Sequence, residues 1–158
     1  MGRKRRRRKG INLQLHHSNI GILRLITNQK GQRQMDQKTV LVIEDNALNM
    51  KLVRSLLSIG KHGMIEAMDA ESGIRLAREQ KPDLILMDIQ LPGMDGLDAT
   101  RIIKSEATLK DVTIIALTSH AMDGDEQRAK EAGCDGYISK PIDTKAFLKT
   151  VEEHLAIV

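Results

Sequence analysis

The segment Asp83–Gly96 reads DLILMDIQLPGMDG. Leu84 to Met87 are four consecutive apolar residues, a run of strand length, and the turn-forming Pro92, Gly93 and Gly96 follow soon after. A strand with one wet face alternates apolar and polar residues. A run without alternation marks a strand covered on both faces, as in a parallel sheet flanked by helices. This run ends on a carboxylate, Asp88. The fold therefore turns on whether the rest of the chain repeats the pattern of covered strand, polar strand end and helix.

It does so from Thr39 onward. Runs of strand length fall at 39–43, 64–67, 84–87, 112–117 and 136–139. Stretches of helical period fall between and after them, at 48–59, 71–80, 97–105, 125–132 and 144–155. Strands alternating with helices imply an α/β domain, a doubly wound parallel sheet with helices on both faces. Local signals agree. Gly133 follows the fourth helical stretch as a C-terminal glycine. Asp143 is placed to cap the last helix, with Ile142 and Phe147 as a hydrophobic staple. Phe147, Val151 and Leu155 form one apolar stripe there, and Leu52, Leu56 and Ile59 suggest a similar stripe in the first helix. The fourth helix offers only Ala129 and Ala132 as apolar anchors and should be the most weakly held.

The net charge of +4 hides a segregation. Residues 1–38 hold 11 Lys or Arg, seven of them in Arg3–Lys9, against one acid, Asp36. The remainder has 14 basic and 20 acidic residues, a net of −6. The block GRKRRRRKG is expected to be solvated and extended. Residues 1–36 show no clean period and are expected to form a basic, disordered N-terminal extension. They read as a dispensable leader or an over-extended start ahead of Met35, with the domain at 37–158. A secretory signal fits poorly, because Gly21 and Arg24 break the apolar stretch and no small-residue cleavage site follows. Myristoylation fails on Arg6. The single Cys134 excludes an intramolecular disulfide framework and suits a reducing cytoplasm. No apolar run approaches the ~20 residues of a membrane helix. His16 and His17 have no partner at metal-binding spacing.

Ligands of open parallel sheets sit beyond the carboxyl ends of the strands. The first strand ends in Glu44-Asp45, the third in Asp88, the fourth in Thr118 and the fifth in Ser139-Lys140-Pro141. Taken singly, each has an ordinary reading. Asp45 or Asn46 is a helix cap, Asp88 a turn acid, Thr118 a strand end and Lys140 a solvated cation. Together they deliver three carboxylates, an ammonium and a hydroxyl to one rim. Carboxylates so grouped raise one another's pKa values unless a cation compensates. Oxygen ligands without His or Cys favour Mg²⁺ or Ca²⁺. Metal, ammonium and hydroxyl around one carboxylate suit phosphoryl transfer through an aspartyl-phosphate, with Asp88 on the central strand as nucleophile and Glu44 and Asp45 holding the metal.

The motifs VLVIEDN, PDLILMDIQLPGMDG, ALTSHAM and GYISKPI, in that order, resemble the response-regulator receiver domain of two-component signalling. The likeness runs from about Lys38 to the C-terminus. Among its subgroups, EDNALNMKL, KPDLILMDIQLP and GDE resemble the stand-alone DivK-like regulators of bacterial cell division and polarity. The resemblance implies a flavodoxin-like five-stranded sheet of order 2-1-3-4-5, an order the chemotaxis regulator exemplifies. It implies that Asp88 accepts a phosphoryl group from a histidine kinase or a histidine phosphotransfer protein. Glu44, Asp45, Asp88 and the backbone carbonyl of Gln90 would bind Mg²⁺, and Thr118 and Lys140 would contact the phosphoryl oxygens. Thr118 and Tyr137 would form the switch, and the Lys140–Pro141 bond would be cis. Ser119 follows the switch Thr where many receivers carry Ala, which bears on hydrolysis, as does His120 if it sits near the rim. Because the sequence stops at Val158, the expected output is a protein–protein contact through the face of the fourth helix, fifth strand and fifth helix. The protein is then a cytoplasmic phosphoacceptor rather than an enzyme acting on a separate substrate.

Alternative expectations are a phosphorelay shuttle or phosphate sink, or nucleic-acid binding through Arg3–Lys9. The latter lacks interleaved aromatics and is opposed by the −6 domain. A flavin-binding flavodoxin would need a Ser/Thr-rich phosphate loop where Glu44 and Asp45 stand. A haloacid-dehalogenase-type phosphatase would carry its nucleophile after the first strand, with a second Asp two residues on. Here Gln90 follows Asp88 by two.

Overall fold

In the computed structural model, residues 37–119 and 124–156 are described. The basic block, His16, His17 and His120 lie outside them. Strand β1 is Thr39–Ile43, followed by helix α1, Ala47–Ile59. β2 (Gly63–Ala67) and α2 (Ala70–Gln80), β3 (Leu84–Asp88) and α3 (Gly96–Ser105), β4 (Thr113–Thr118) and α4 (Asp125–Ala132), and β5 (Gly136–Ser139) and α5 (Thr144–Leu155) complete the alternation. All pairings are parallel, in the order β2-β1-β3-β4-β5. The doubly wound order is as expected.

β1 and β3 are central, and β3 is buried along its whole length. Their side chains alternate between two cores. Val40, Val42, Leu84 and Leu86 pack with Met50, Val53 and Leu57 of α1 and with Phe147 and Val151 of α5. Leu41, Ile43, Ile85 and Met87 pack with Ile74 and Ala77 of α2 and with Ala99 and Ile103 of α3. Burying one such aliphatic side chain contributes roughly 1.5–3 kcal/mol. The buried residues of α4 are alanines, Ala129 and Ala132, which cluster with Ala116 of β4 and Leu97 of α3.

Among the described residues, four of the five helices start on a side-chain cap. Asn46, Asp69, Asp95 and Asp143 each accept from amides of the first turn. α4 starts on Gly124, which has no side chain to accept. Ile142 and Phe147 share one core beside Asp143, as a staple requires. Gly133 closes α4 in the left-handed region, φ 106°.

One stripe differs from the sequence reading. α1 buries Met50, Val53, Leu56 and Leu57, while Leu52 is only partly buried and Ile59 is 70% exposed. Apolar residues run most of the way round this helix, so spacing alone does not choose the face. Strand boundaries also move slightly. β2 starts at Gly63, β4 starts at Thr113 rather than Val112, and both Asp88 and Thr118 lie inside their strands.

A candidate phosphoryl-transfer site

The period of the sheet places the first two acids. Glu44 follows the Val40–Val42 row and Asp88 the Leu84–Leu86 row, so both emerge toward the α1–α5 side at adjacent strand ends. Both are buried: Glu44 is 0% and Asp88 2% exposed. Asp45 is exposed at the rim, and carboxylate oxygens of Glu44, Asp45 and Asp88 all lie within 4.8 Å of one another.

Each buried acid has a defined partner set. Glu44 Oε1 accepts from the Asn46 amide at 3.0 Å. Asn46 itself caps α1, accepting from the amides of Leu48 and Asn49. The cap reading of this triplet is thus correct for Asn46 and leaves Glu44 and Asp45 to the rim. Asp88 Oδ1 accepts from the Gln90 amide at 2.9 Å. Lys140 Nζ lies 2.6 Å from Glu44 Oε2 and 2.9 Å from Asp88 Oδ2. Glu44 Oε2 is buried and, among the described residues, its polar contact is this one ion pair, which leaves it acceptor capacity to spare.

Lys140 reaches this point because β5 ends beside β4. Its amide donates to the Thr118 carbonyl at 2.6 Å, and Thr118 pairs in register with Ser139. The peptide bond to Pro141 is cis. Thr118 ends β4 at 2% exposure, one residue beyond Leu117, the register partner of Asp88. Gln90 stands in the turn after β3, with its side chain at the surface. Ser119 is exposed next to Thr118. Tyr137 lies half-buried on the edge strand β5, between a groove of about 320 Å³ toward α4 and one of about 190 Å³ toward α5.

The electrostatics follow from burial. The Asp88 carboxyl is pushed up to about 6, first by desolvation and further by the charge of Glu44; Lys140 and the Gln90 amide pull the other way without cancelling it. Burial alone would lower the Lys140 ammonium. Hydrogen bonding and charge from Glu44 and Asp88 outweigh it and hold Lys140 above its usual value. Three ionised acids and one ammonium leave two negative charges in formal count. The donor atoms are all oxygen. Such a set, with a spare buried carboxylate oxygen, fits Mg²⁺.

Sequence reasoning treated Pro92, Gly93 and Gly96 alike as turn residues, and the structure separates them. Gly93 has φ 77°, whereas Gly96 opens α3 with its Cα pressed against the backbone of Asp88. Nothing in the residue spacing distinguishes the two. Cys134 is in the loop after α4, its thiol 3.8 Å from Thr100 Oγ1, a packing role.

Residues 40–152 match the family model described as the response regulator receiver domain. The chain belongs to the response-regulator receiver family. Curated relatives of this receiver include the polar-differentiation response regulator DivK of Brucella anthropi. It is 45% identical over 118 residues, 75% of this chain and 96% of that protein. DivK of Brucella ovis aligns equally well, at the same identity and coverage. Among solved structures, the receiver domain of the Pseudomonas aeruginosa sensor histidine kinase PA1611 is 31% identical with TM-score 0.71, covering 76% of this chain and 98% of that one. That domain was solved with a magnesium ion coordinated in its active-site cleft. Chemotaxis response regulator CheY4 of Vibrio cholerae shares the fold at TM-score 0.71 and 23% identity, over 75% of this chain and 98% of that one. As a receiver, the chain is a signalling protein of two-component systems. Among the described residues no helix is long and apolar enough to cross a membrane.

Proposed function

We propose that this receiver accepts a phosphoryl group on Asp88 from a phosphohistidine of a sensor histidine kinase or histidine phosphotransfer protein. One observation carries the reading: Lys140 lies between Glu44 and Asp88, with Asp45 in the same cluster, at the carboxyl ends of three strands. In the step, an Asp88 carboxylate oxygen forms the new bond to phosphorus. The nitrogen–phosphorus bond of the donor breaks, and the imidazole keeps the electron pair and takes up a proton. Asp88 must be ionised to attack; burial pushes its carboxyl up to about 6, and Mg²⁺ held beside it would favour the ionised form. Lys140 neutralises charge on the transferred group, and the Thr118 hydroxyl donates to one of its oxygens. Glu44, Asp45, Asp88 and the Gln90 carbonyl would hold Mg²⁺, which when bound screens the phosphoryl charge from the acids. Hydrolysis of the acyl phosphate returns Asp88, so phosphorylation and dephosphorylation are both carried by the receiver's own site.

The output is a protein–protein contact on the face built by α4, β5 and α5. The lightly anchored α4 and the half-buried Tyr137, flanked by two grooves, support a face able to shift when Thr118 moves toward a phosphoryl group. Relatives named for polar differentiation support a role in the control of cell polarity or division; the single Cys134 suits action in the reducing cytoplasm. Residues 1–36 are an N-terminal extension that the 37–158 domain does not need. Incubation with a purified autophosphorylated histidine kinase tests the reading. Label should pass to this protein with Mg²⁺ present and stop in EDTA. Transfer unaffected by EDTA, or by Asp88→Asn, would overturn it.

A further inference from the structure

The close approach of α3 to the end of β3 identifies a residue on which the site's geometry depends. Gly96 is the first residue of α3. A Cβ built there would overlap the Asp88 carbonyl oxygen, and would lie 2.8 Å from the Asp88 carbonyl carbon and 2.9 Å from Ile89 Cα. All three neighbours are backbone, so no side chain can swing aside. Gly96 has no positive φ, unlike Gly93 at 77°, and a helix start accepts Ala readily. The glycine is thus required by proximity alone.

The contact is held from both sides. The Gly96 amide donates to the Ile89 carbonyl at 2.9 Å, closing the turn that contains Gln90. Thr100, 0% exposed, donates its hydroxyl to the Gly96 carbonyl at 2.8 Å. Asp95, next to Gly96, caps α3 by accepting from the amides of Leu97 and Asp98. The start of a rigid helix is therefore fixed against the peptide that carries Asp88.

We infer that Gly96 is a positioning residue for phosphoryl acceptance, seating the Asp88 carboxylate and the Gln90 turn through direct backbone contact, with Thr100 holding Gly96 in place. The inference rests on the reading of Asp88 as phosphoacceptor. Any side chain at 96 pries the helix start from β3. It moves Asp88 relative to Glu44 and Lys140, which are fixed on other strands. A misplacement on the order of 1 Å can cost about a hundredfold in rate.

The test compares the full-length parent with Gly96→Ala, Thr100→Val and Gly136→Ala. The last is a steric control, since a Cβ at 136 meets the His154 ring at 2.5 Å, at the opposite end of β5 from Lys140. Three quantities are read: melting temperature, Mg²⁺ affinity by calorimetry, and initial rate of labelling by acetyl phosphate well below the melting transition. Gly96→Ala should be labelled about 10- to 100-fold more slowly and bind Mg²⁺ more weakly, while Gly136→Ala keeps both. Thr100→Val should show the same two losses in smaller degree. A folded Gly96→Ala with parental rate and Mg²⁺ affinity overturns the inference. If that variant does not fold, parental values for Thr100→Val do so. Parental labelling that survives Asp88→Asn overturns the reading of the site and the inference together; labelling that depends on Asp88 but is indifferent to Gly96 overturns the inference alone.

Discussion

Replacing Asp88 with Asn is expected to stabilise the metal-free protein, and to do so in a pH-dependent way. The carboxyl sits at about 6 in the fold against 3.8 when solvated. Below the solvated value both states are protonated and the group costs nothing. Between the two values the fold binds the extra proton, so stability from this group is lost as pH rises through about 6. Once both states are ionised, the penalty is about 3 kcal/mol at 1.36 kcal/mol per pKa unit. Asn removes the charge at nearly the same shape, but its amide NH₂ cannot accept from Lys140, which keeps Glu44 as partner. The expected gain is therefore about 2 kcal/mol near neutral pH, shrinking toward zero near pH 4. Carboxyls held low by their partners, such as Glu66 beside Arg54 and Glu106 beside Arg78, destabilise both proteins as pH falls and cancel in the difference. Urea unfolding of parent and variant in EDTA across this range measures the effect. Mg²⁺ should then narrow the gap by stabilising the parent more than the variant. A variant no more stable than the parent near neutral pH, or a gain independent of pH, would refute the account of Asp88 as a buried acid held against its desolvation cost.

Thr118→Ala should leave Asp88 able to accept phosphate, more slowly, while removing the phosphorylation-dependent gain in affinity for a partner; titrating partner against both forms of the variant checks this. A chain beginning at Met35 should melt within a few degrees of the full chain and accept phosphate at a similar rate, as thermal melts and labelling time courses will show. Phe147, the largest fully buried side chain among the described residues, joins α5 to the sheet, and Phe147→Ala should cost about 3–5 kcal/mol in urea unfolding.

The fold was legible because covered strands leave continuous apolar runs, and the caps Asp143 and Asn46 announce their helices. The rim was legible for a different reason: a parallel sheet sends every strand's last residue to the same edge, so Glu44, Asp88, Thr118 and Lys140 had to meet. Two things were not legible. The buried face of α1 depends on which neighbours the helix meets, and Ile59, in step with Leu52 and Leu56, lies outside at 70% exposure. The distinction between Gly93 and Gly96 is likewise tertiary. One glycine answers a local dihedral, the other a contact with Asp88 eight residues away.

The central claim is that the chemistry ends on Asp88. Borohydride reduction of the acetyl-phosphate-labelled protein, followed by peptide mapping, tests it most directly, because reduction converts an aspartyl phosphate to homoserine and marks the residue permanently. The account predicts homoserine at position 88, dependent on Mg²⁺. Homoserine at Asp45 or another acid, with Asp88 unmodified, would contradict it.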